Sequence, residues 1–125
     1  MDSFFWMFRL KSFSQKFSVF LLMLLIFSQI SKAENKLIMI TADYCIYCMV
    51  WESEIGEIYP KSNIGKNYIL KKIKIDEYNN NKSNSDQISV TPTFVFYQGQ
   101  KEKGRIIGYT DPEMFWWQVD EITEQ

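Results

Sequence analysis

The chain contains two cysteines, Cys45 and Cys48, separated by Ile46 and Tyr47. They follow an apolar run over residues 36–41 and precede apolar residues at helical spacing. A cysteine pair with this spacing, between a strand and a helix, indicates a redox-active dithiol. The amide groups and dipole at a helix N-terminus stabilise the thiolate, which is the nucleophile in disulfide exchange. We therefore predict that Cys45 attacks and that Cys48 resolves the mixed disulfide.

Other uses of a cysteine pair are a structural disulfide and a metal site. Exported proteins commonly contain structural disulfides. A cross-link between residues this close constrains little of the unfolded chain, so it would stabilise the fold by only about 2 kcal/mol. A zinc site needs more ligands than two thiolates, and the sequence has 0 histidines. We favour the redox pair, with no metal and no bound cofactor.

Length and charge limit the remaining classes of protein. The chain has 125 residues, enough for one domain. Its 14 Lys and Arg residues are balanced by 15 Asp and Glu residues. This balance argues against a protein that binds nucleic acid through bulk positive charge. The lack of histidine also excludes Ser–His and Cys–His nucleophiles.

Residues 1–33 have the pattern of a secretory signal peptide. Basic residues precede an apolar run over residues 17–27, and Ser31 and Ala33 occupy the small-residue positions of a cleavage site. We predict cleavage after Ala33, which leaves a domain of residues 34–125 outside the cytoplasm. The alternative is an uncleaved membrane anchor, although the apolar run is short for a spanning helix.

The remaining sequence alternates predicted strands and helices. Strands are predicted over residues 36–41, 69–75, 93–97 and 105–109. One helix starts near Cys45, and Tyr59-Pro60 opens a loop that contains Gly65. Residues 79–86 are a polar loop with at most a short helix behind it, and a last helix starts at Asp111 and Pro112. The first two strands must be parallel with a right-handed connection, and the last two are close enough for a hairpin. The prediction is an α/β fold, a mixed four-stranded sheet with helices on its faces (β-α-β-α-β-β-α).

Pro92 lies at the front edge of the third predicted strand, within the sequence Val90-Thr91-Pro92-Thr93. Proline donates no backbone hydrogen bond, so this position suits it. A cis Thr91–Pro92 bond would place the Thr91 backbone beside the thiols, free to pair with an extended substrate. Since few X–Pro bonds are cis, the residues alone leave a trans bond open.

Taken together, the motifs resemble those of thioredoxin-fold proteins. The resemblance rests on KLIMIT before CIYC, on KIKID, on TPTFVFY and on Gly108. WESEIGEIYPKSNIG and the stretch from VTPTF to MFWWQ are, more closely, similar to the SoxS-like periplasmic thioredoxins of sulfur-oxidation operons. The resemblance covers residues 36–122.

This resemblance implies a site and its partners. Cys45 and Cys48 would be the redox pair and Pro92 the cis-proline, with Thr91 beside it as a substrate contact. The protein would exchange thiols in the periplasm with exported client proteins that contain cysteine disulfides or sulfur-loaded cysteines. A membrane thiol electron carrier of the DsbD or CcdA type would reduce it again.

The sequence also departs from the thioredoxin pattern. Met39 stands where thioredoxins have a buried carboxylate and Thr41 where they have Trp, whereas Lys72 matches the lysine near their active site. The proton of Cys48 would therefore leave through water or through another acid, Asp43 or Glu52.

The residues beside the cysteines indicate the direction of reaction and the client surface. Ile46 and Tyr47 provide no cation to stabilise a Cys45 thiolate, so we predict a reducing potential. Tyr44, Ile46 and Tyr47 are candidate client contacts, since aromatic side chains often anchor partners. The alternatives to a reductase are a redox-inert binding module of the same fold and a disulfide oxidase or isomerase.

Overall fold

The computed structural model describes residues 15–23 and 33–125. Residues 15–23 form an exposed helix, and Ala33–Gln125 is a separate compact unit. Within the described ranges, no helix is both long and apolar enough to cross a bilayer. Most of the predicted signal peptide, including residues 24–32 before the expected cleavage site, lies outside the described residues. The signal peptide therefore stays a prediction.

The compact unit is built on a four-stranded mixed sheet. The strands are β1 (Asn35–Thr41), β2 (Ile69–Lys74), β3 (Thr93–Gln98) and β4 (Lys101–Ile107). Their order across the sheet is β2-β1-β3-β4, with β1 parallel to β2 and β3 antiparallel to both β1 and β4. The predicted parallel pair, hairpin and mixed sheet are confirmed.

Helices connect and cover the strands. They are α1 (Ile46–Trp51), which continues as a π-helical turn (Glu52–Gly56), α2 (Asn63–Asn67), α3 (Ile75–Asn80) and α4 (Pro112–Thr123); 3-10 turns occupy Tyr59–Lys61 and Asn84–Asp86. The predicted start of α4 is confirmed, since the Asp111 side chain accepts a hydrogen bond from the Met114 amide.

The boundaries predicted for the fourth and the second strand are wrong. The fourth strand starts at Lys101 and ends at Ile107, not at residues 105 and 109, because Gly99 with φ +61° turns the chain directly after Gln98. A bulge between Phe96 and Tyr97 then adjusts the pairing of β3 with β4. The second strand ends at Lys74, its last residue paired with β1, so Ile75 is the first residue of α3 rather than a strand residue.

One helix was not predicted at all. Residues 63–67 were expected to be loop, but Ser62 caps them by accepting a hydrogen bond from the Gly65 amide. A Cβ atom at Gly65 would lie 1.8 Å from the carbonyl oxygen of Tyr59. Glycine is therefore required where α2 packs against the preceding turn.

The sheet separates two hydrophobic cores. The thiol face is covered by α1 and α4 and buries Leu37, Met39, Cys48, Trp51, Ile55, Phe94, Phe96, Phe115 and Val119, among others. The opposite face is covered by α3 and the segment after it and buries Ile38, Ile40, Tyr78, Ile88, Val95 and Tyr97. Trp51 is fully buried in the core of the thiol face.

Candidate active site

Cys45 directly precedes the helix that follows β1. It is the N-cap of α1, with extended backbone angles (φ −77°, ψ 102°). Its sulfur accepts a hydrogen bond from the Cys48 amide at 3.1 Å, and its carbonyl oxygen accepts one from the Met49 amide at 3.2 Å. An amide that points at this sulfur stabilises it when it carries negative charge.

The two cysteines are joined in a disulfide, yet they differ in accessibility. Their Cα atoms are 5.2 Å apart. Cys48 is 6% exposed and packs in the core of the thiol face, whereas Cys45 is half-buried at its edge. A partner can therefore reach Cys45 from solvent, while Cys48 is accessible chiefly to Cys45. The roles of attacking and resolving thiol stay a prediction.

Exposed apolar side chains surround Cys45. Tyr44 is 98% exposed, Ile46 71% and Tyr47 62%, and Met49 on the next turn is exposed as well. Tyr44 also has φ +59°, a left-handed conformation that costs a non-glycine residue roughly 1–2 kcal/mol. The chain thus holds a large aromatic ring in water, in a strained conformation, directly before the reactive sulfur. Such outliers cluster at functional sites.

The segment that contains Pro92 reaches the same end of the sheet. The Thr91–Pro92 peptide bond is cis. Because Ile40 pairs with Thr93 in the antiparallel register, the chain leaving Pro92 lies beside the chain that leads to Cys45. Pro92 is buried and Thr91 is half-buried. Thr91 therefore lies at this end of the sheet, directly before the buried Pro92.

A third segment, directly after β4, completes this end of the sheet. Gly108 donates a hydrogen bond from its amide to the carbonyl oxygen of Pro92 at 2.8 Å. Its φ of +80° explains why glycine occupies the position. The neighbouring Ile107 pairs with Thr93 and is exposed. The loop before α4 is therefore bonded to the Pro92 loop.

Acidic groups near the cysteines are paired with lysines. Met39 is fully buried, and its register partner on β2 is Lys72. Lys72 forms an ion pair with Glu52 on the π-helical turn, and Lys74 forms one with Asp43. Lys72 thus has a carboxylate partner on the helix instead of on β1.

The sequence analysis missed several features of this region. The Tyr109 hydroxyl donates a hydrogen bond to Glu54 Oε2 at 2.5 Å. Burial, and then the bond to Glu54, raises the pKa of Tyr109 above its usual range. An open cavity of about 90 Å³ on the opposite face adjoins the Pro92 loop and is lined by Ile88, Val90, Thr93, Arg105 and Ile107, among others. Local spacing carried no signal for contacts between such distant residues.

The described residues contain no cluster of His, Cys, Asp and Glu side chains that could hold a metal ion.

Comparison with known proteins identifies a family and a similar solved structure. The thioredoxin-like domain family matches residues 28–123. The periplasmic thioredoxin SoxS from Paracoccus pantotrophus, in its reduced form, is 27% identical, with a TM-score of 0.63 over 71% of this chain and 95% of that chain. No curated protein matches the chain in sequence.

More distant thioredoxins share the fold. The thioredoxin from Trypanosoma brucei brucei is 21% identical, with a TM-score of 0.56 over 77% of this chain and 80% of that chain. The thioredoxin from Malassezia sympodialis is 22% identical, with a TM-score of 0.54 over 78% and 83%. The family match, the fold and the Cys45–Cys48 disulfide lead to one conclusion. The chain belongs to the thioredoxin-like domain family and is a thiol–disulfide oxidoreductase.

Proposed function

We propose that the protein is an exported reductase, which reduces cysteine disulfides or sulfur-loaded cysteines of partner proteins in the periplasm. Cys45 is the attacking thiol and Cys48 the resolving thiol. Tyr44, Ile46, Tyr47, Thr91 and Pro92 form the surface that receives the client. The single observation that carries this proposal is the contrast between an accessible Cys45 at a helix N-cap and a Cys48 that is 6% exposed.

The reaction follows from that contrast. The Cys45 thiolate attacks one sulfur of the client disulfide, so a Cys45–client bond forms, the client disulfide breaks, and the leaving client thiolate takes up a proton. Cys48 then loses its proton and its thiolate attacks the Cys45 sulfur. The Cys45–Cys48 disulfide forms and the second client thiol is released. Two electrons have passed from the protein to the client.

The client surface suits an extended chain with apolar side chains beside its cysteine. Tyr44, Ile46 and Tyr47 project into solvent around the sulfur. Aromatic and apolar anchors of this kind supply much of the binding energy in protein interfaces. The Thr91 backbone lies on the other side of the site, where it pairs with the client main chain as a neighbouring strand would.

The oxidised protein must be reduced before it acts again. An external dithiol has to attack the Cys45 sulfur and accept the disulfide, and Cys45 is the accessible end of the pair. A membrane thiol carrier of the DsbD or CcdA type supplies these electrons in the proposal. Ile46 and Tyr47 carry no charge that would stabilise the Cys45 thiolate, which favours a reducing potential.

Export to the periplasm has two supports. One is the basic, apolar and small-residue order of residues 1–33. The other is the likeness to SoxS, which is a periplasmic thioredoxin. The domain that acts there would comprise residues 34–125, either released or held by an uncleaved anchor.

Trapping of mixed disulfides tests the proposal. Cys48→Ser removes the resolving thiol, so clients should accumulate on Cys45 as covalent complexes that dithiothreitol releases. The variant is expressed in a Gram-negative host, and the complexes are identified from the periplasmic fraction by mass spectrometry.

Cys45→Ser is the matched control and should trap far less, because its remaining thiol is buried. A Cys48→Ser variant that traps no client would favour the inert binding module. A Cys45–Cys48 pair that is oxidised in cells and transfers its disulfide to reduced clients would favour the oxidase.

A further inference from the structure

Two consecutive residues after β4 make hydrogen bonds to two different parts of the site. The Gly108 amide donates to the carbonyl oxygen of Pro92 at 2.8 Å. The Tyr109 hydroxyl donates to Glu54 Oε2 at 2.5 Å. A single dipeptide therefore contacts both the Pro92 loop and the helix that begins after Cys45.

The Tyr109 side chain is held by burial and by packing against an aromatic ring. It is 9% exposed, and its ring meets the ring of Phe115 edge to face, with centroids 6.2 Å apart. A hydrogen bond to a carboxylate is stronger than one between neutral groups. Burial, followed by the bond to Glu54, raises the pKa of Tyr109, so the neutral hydroxyl that donates this bond is favoured.

The acceptor, Glu54, lies on the π-helical turn that follows α1. Glu52 on the same turn pairs with Lys72 of β2, one edge strand of the sheet. Tyr109 follows β4, the other edge strand. The turn is therefore bonded to segments from both edges of the sheet. A π-helical turn inside an α-helix is often found at a functional site.

We propose that Tyr109 is a positioning residue for disulfide exchange, whose bond to Glu54 sets the separation between the Pro92 loop and the helix of Cys45. An extended client must contact both at once, with its sulfur at Cys45 and its backbone at Thr91. A loop displaced from the sulfur lowers productive binding, because reacting atoms must be aligned. The inference rests on the proposed pairing of clients with the Thr91 backbone.

Tyr109→Phe in the full chain tests the inference, since it removes the hydroxyl and keeps the ring. The KM for reduction of insulin, a protein disulfide, should rise about fivefold to tenfold. The rate of reduced protein with a small aromatic disulfide, which needs no backbone pairing, should change less than about twofold. Hydrogen exchange of the Gly108 amide should also accelerate, because its bond to Pro92 is no longer supported.

Two controls separate positioning from general stability. Tyr59→Phe removes another buried hydroxyl, which donates to the carbonyl oxygen of Tyr68 at 3.0 Å near the opposite end of the sheet. It should lower stability without changing the KM. Glu54→Gln keeps an oxygen acceptor, so its KM should stay close to that of the wild type. Glu54→Leu removes the acceptor, so its KM should rise as much as that of Tyr109→Phe. The double variant Tyr109→Phe with Glu54→Leu should show no additional increase.

The positioning role is overturned if Tyr109→Phe keeps the wild-type KM and the wild-type exchange rate of the Gly108 amide. It is also overturned if Tyr59→Phe raises the KM equally. A wild-type protein that does not reduce insulin would contradict the proposed reductase instead. In that case amide exchange of Gly108 in Tyr109→Phe still decides whether Tyr109 holds the loop.

Discussion

The two faces of the sheet are built differently. The thiol face buries large aromatic rings: Trp51, Phe94 and Phe115 pack against one another, with ring centroids 5.1 to 5.7 Å apart. The opposite face buries mainly aliphatic side chains and a polar pair, in which the hydroxyls of Tyr78 and Tyr97 are 3.0 Å apart. It also leaves an open cavity beside the Pro92 loop.

The two cysteines differ in the same way in how closely their surroundings are packed. Cys48 is part of this aromatic core, so its sulfur is held by close packing. Around Cys45, in contrast, large apolar side chains remain in solvent. The buried sulfur of Cys48 is therefore closely packed, whereas the accessible sulfur of Cys45 is surrounded by apolar side chains that contact solvent.

The largest expected effect comes from deleting one side chain on each face. Phe115→Ala removes a ring that contacts Trp51, Phe94 and Tyr109, and should lower the free energy of unfolding by about 3–5 kcal/mol. Ile88→Ala should cost about 2 kcal/mol, because Ile88 borders an open cavity and its segment can relax. Urea unfolding at neutral pH measures both values. Equal losses would show that the two faces are packed alike.

A smaller effect, confined to alkaline pH, concerns the polar pair of the opposite face. Burial, then the hydrogen bond to Tyr97, raises the pKa of Tyr78 from 10.0 to about 12. A raised pKa means that the folded state favours the neutral phenol. Its contribution to stability is complete below pH 10 and is lost as the pH rises towards about 12.

Tyr78→Phe should therefore lose less stability than the wild type between these pH values, as measured by urea midpoints from pH 8 to 12. Lysines titrate in both proteins, so only the difference between them reports on Tyr78. An identical alkaline loss in the two proteins would contradict a raised pKa at this position.

Predictions from sequence succeeded where the signal is local. The apolar run before Cys45 predicts a buried strand, and Asp111-Pro112 predicts the start of α4. Each signal lies within a few neighbouring residues. The start of β4 was missed because its first residues, Lys101, Glu102 and Lys103, are charged. As an edge strand, β4 tolerates charge that protects it from pairing with other chains.

Contacts between distant residues could not be predicted in this way. Glu54 and Tyr109 are 55 positions apart in the sequence. Their hydrogen bond depends on a π-helical turn, which the spacing of residues in the sequence does not predict. Both stand in stretches similar to SoxS-like thioredoxins, yet the similarity alone assigns them no role. The ion pair of Glu52 with Lys72 depends on the same turn and on the register of β2.

Alkylation of the reduced protein tests the central claim most directly. Reduced full chain is treated briefly with iodoacetamide at several pH values, and modification of each cysteine is quantified by mass spectrometry. Cys45 should react at least about tenfold faster than Cys48, because only its sulfur combines access with an amide donor at a helix start. Equal rates, or faster modification of Cys48, would contradict the assignment of Cys45 as the attacking thiol.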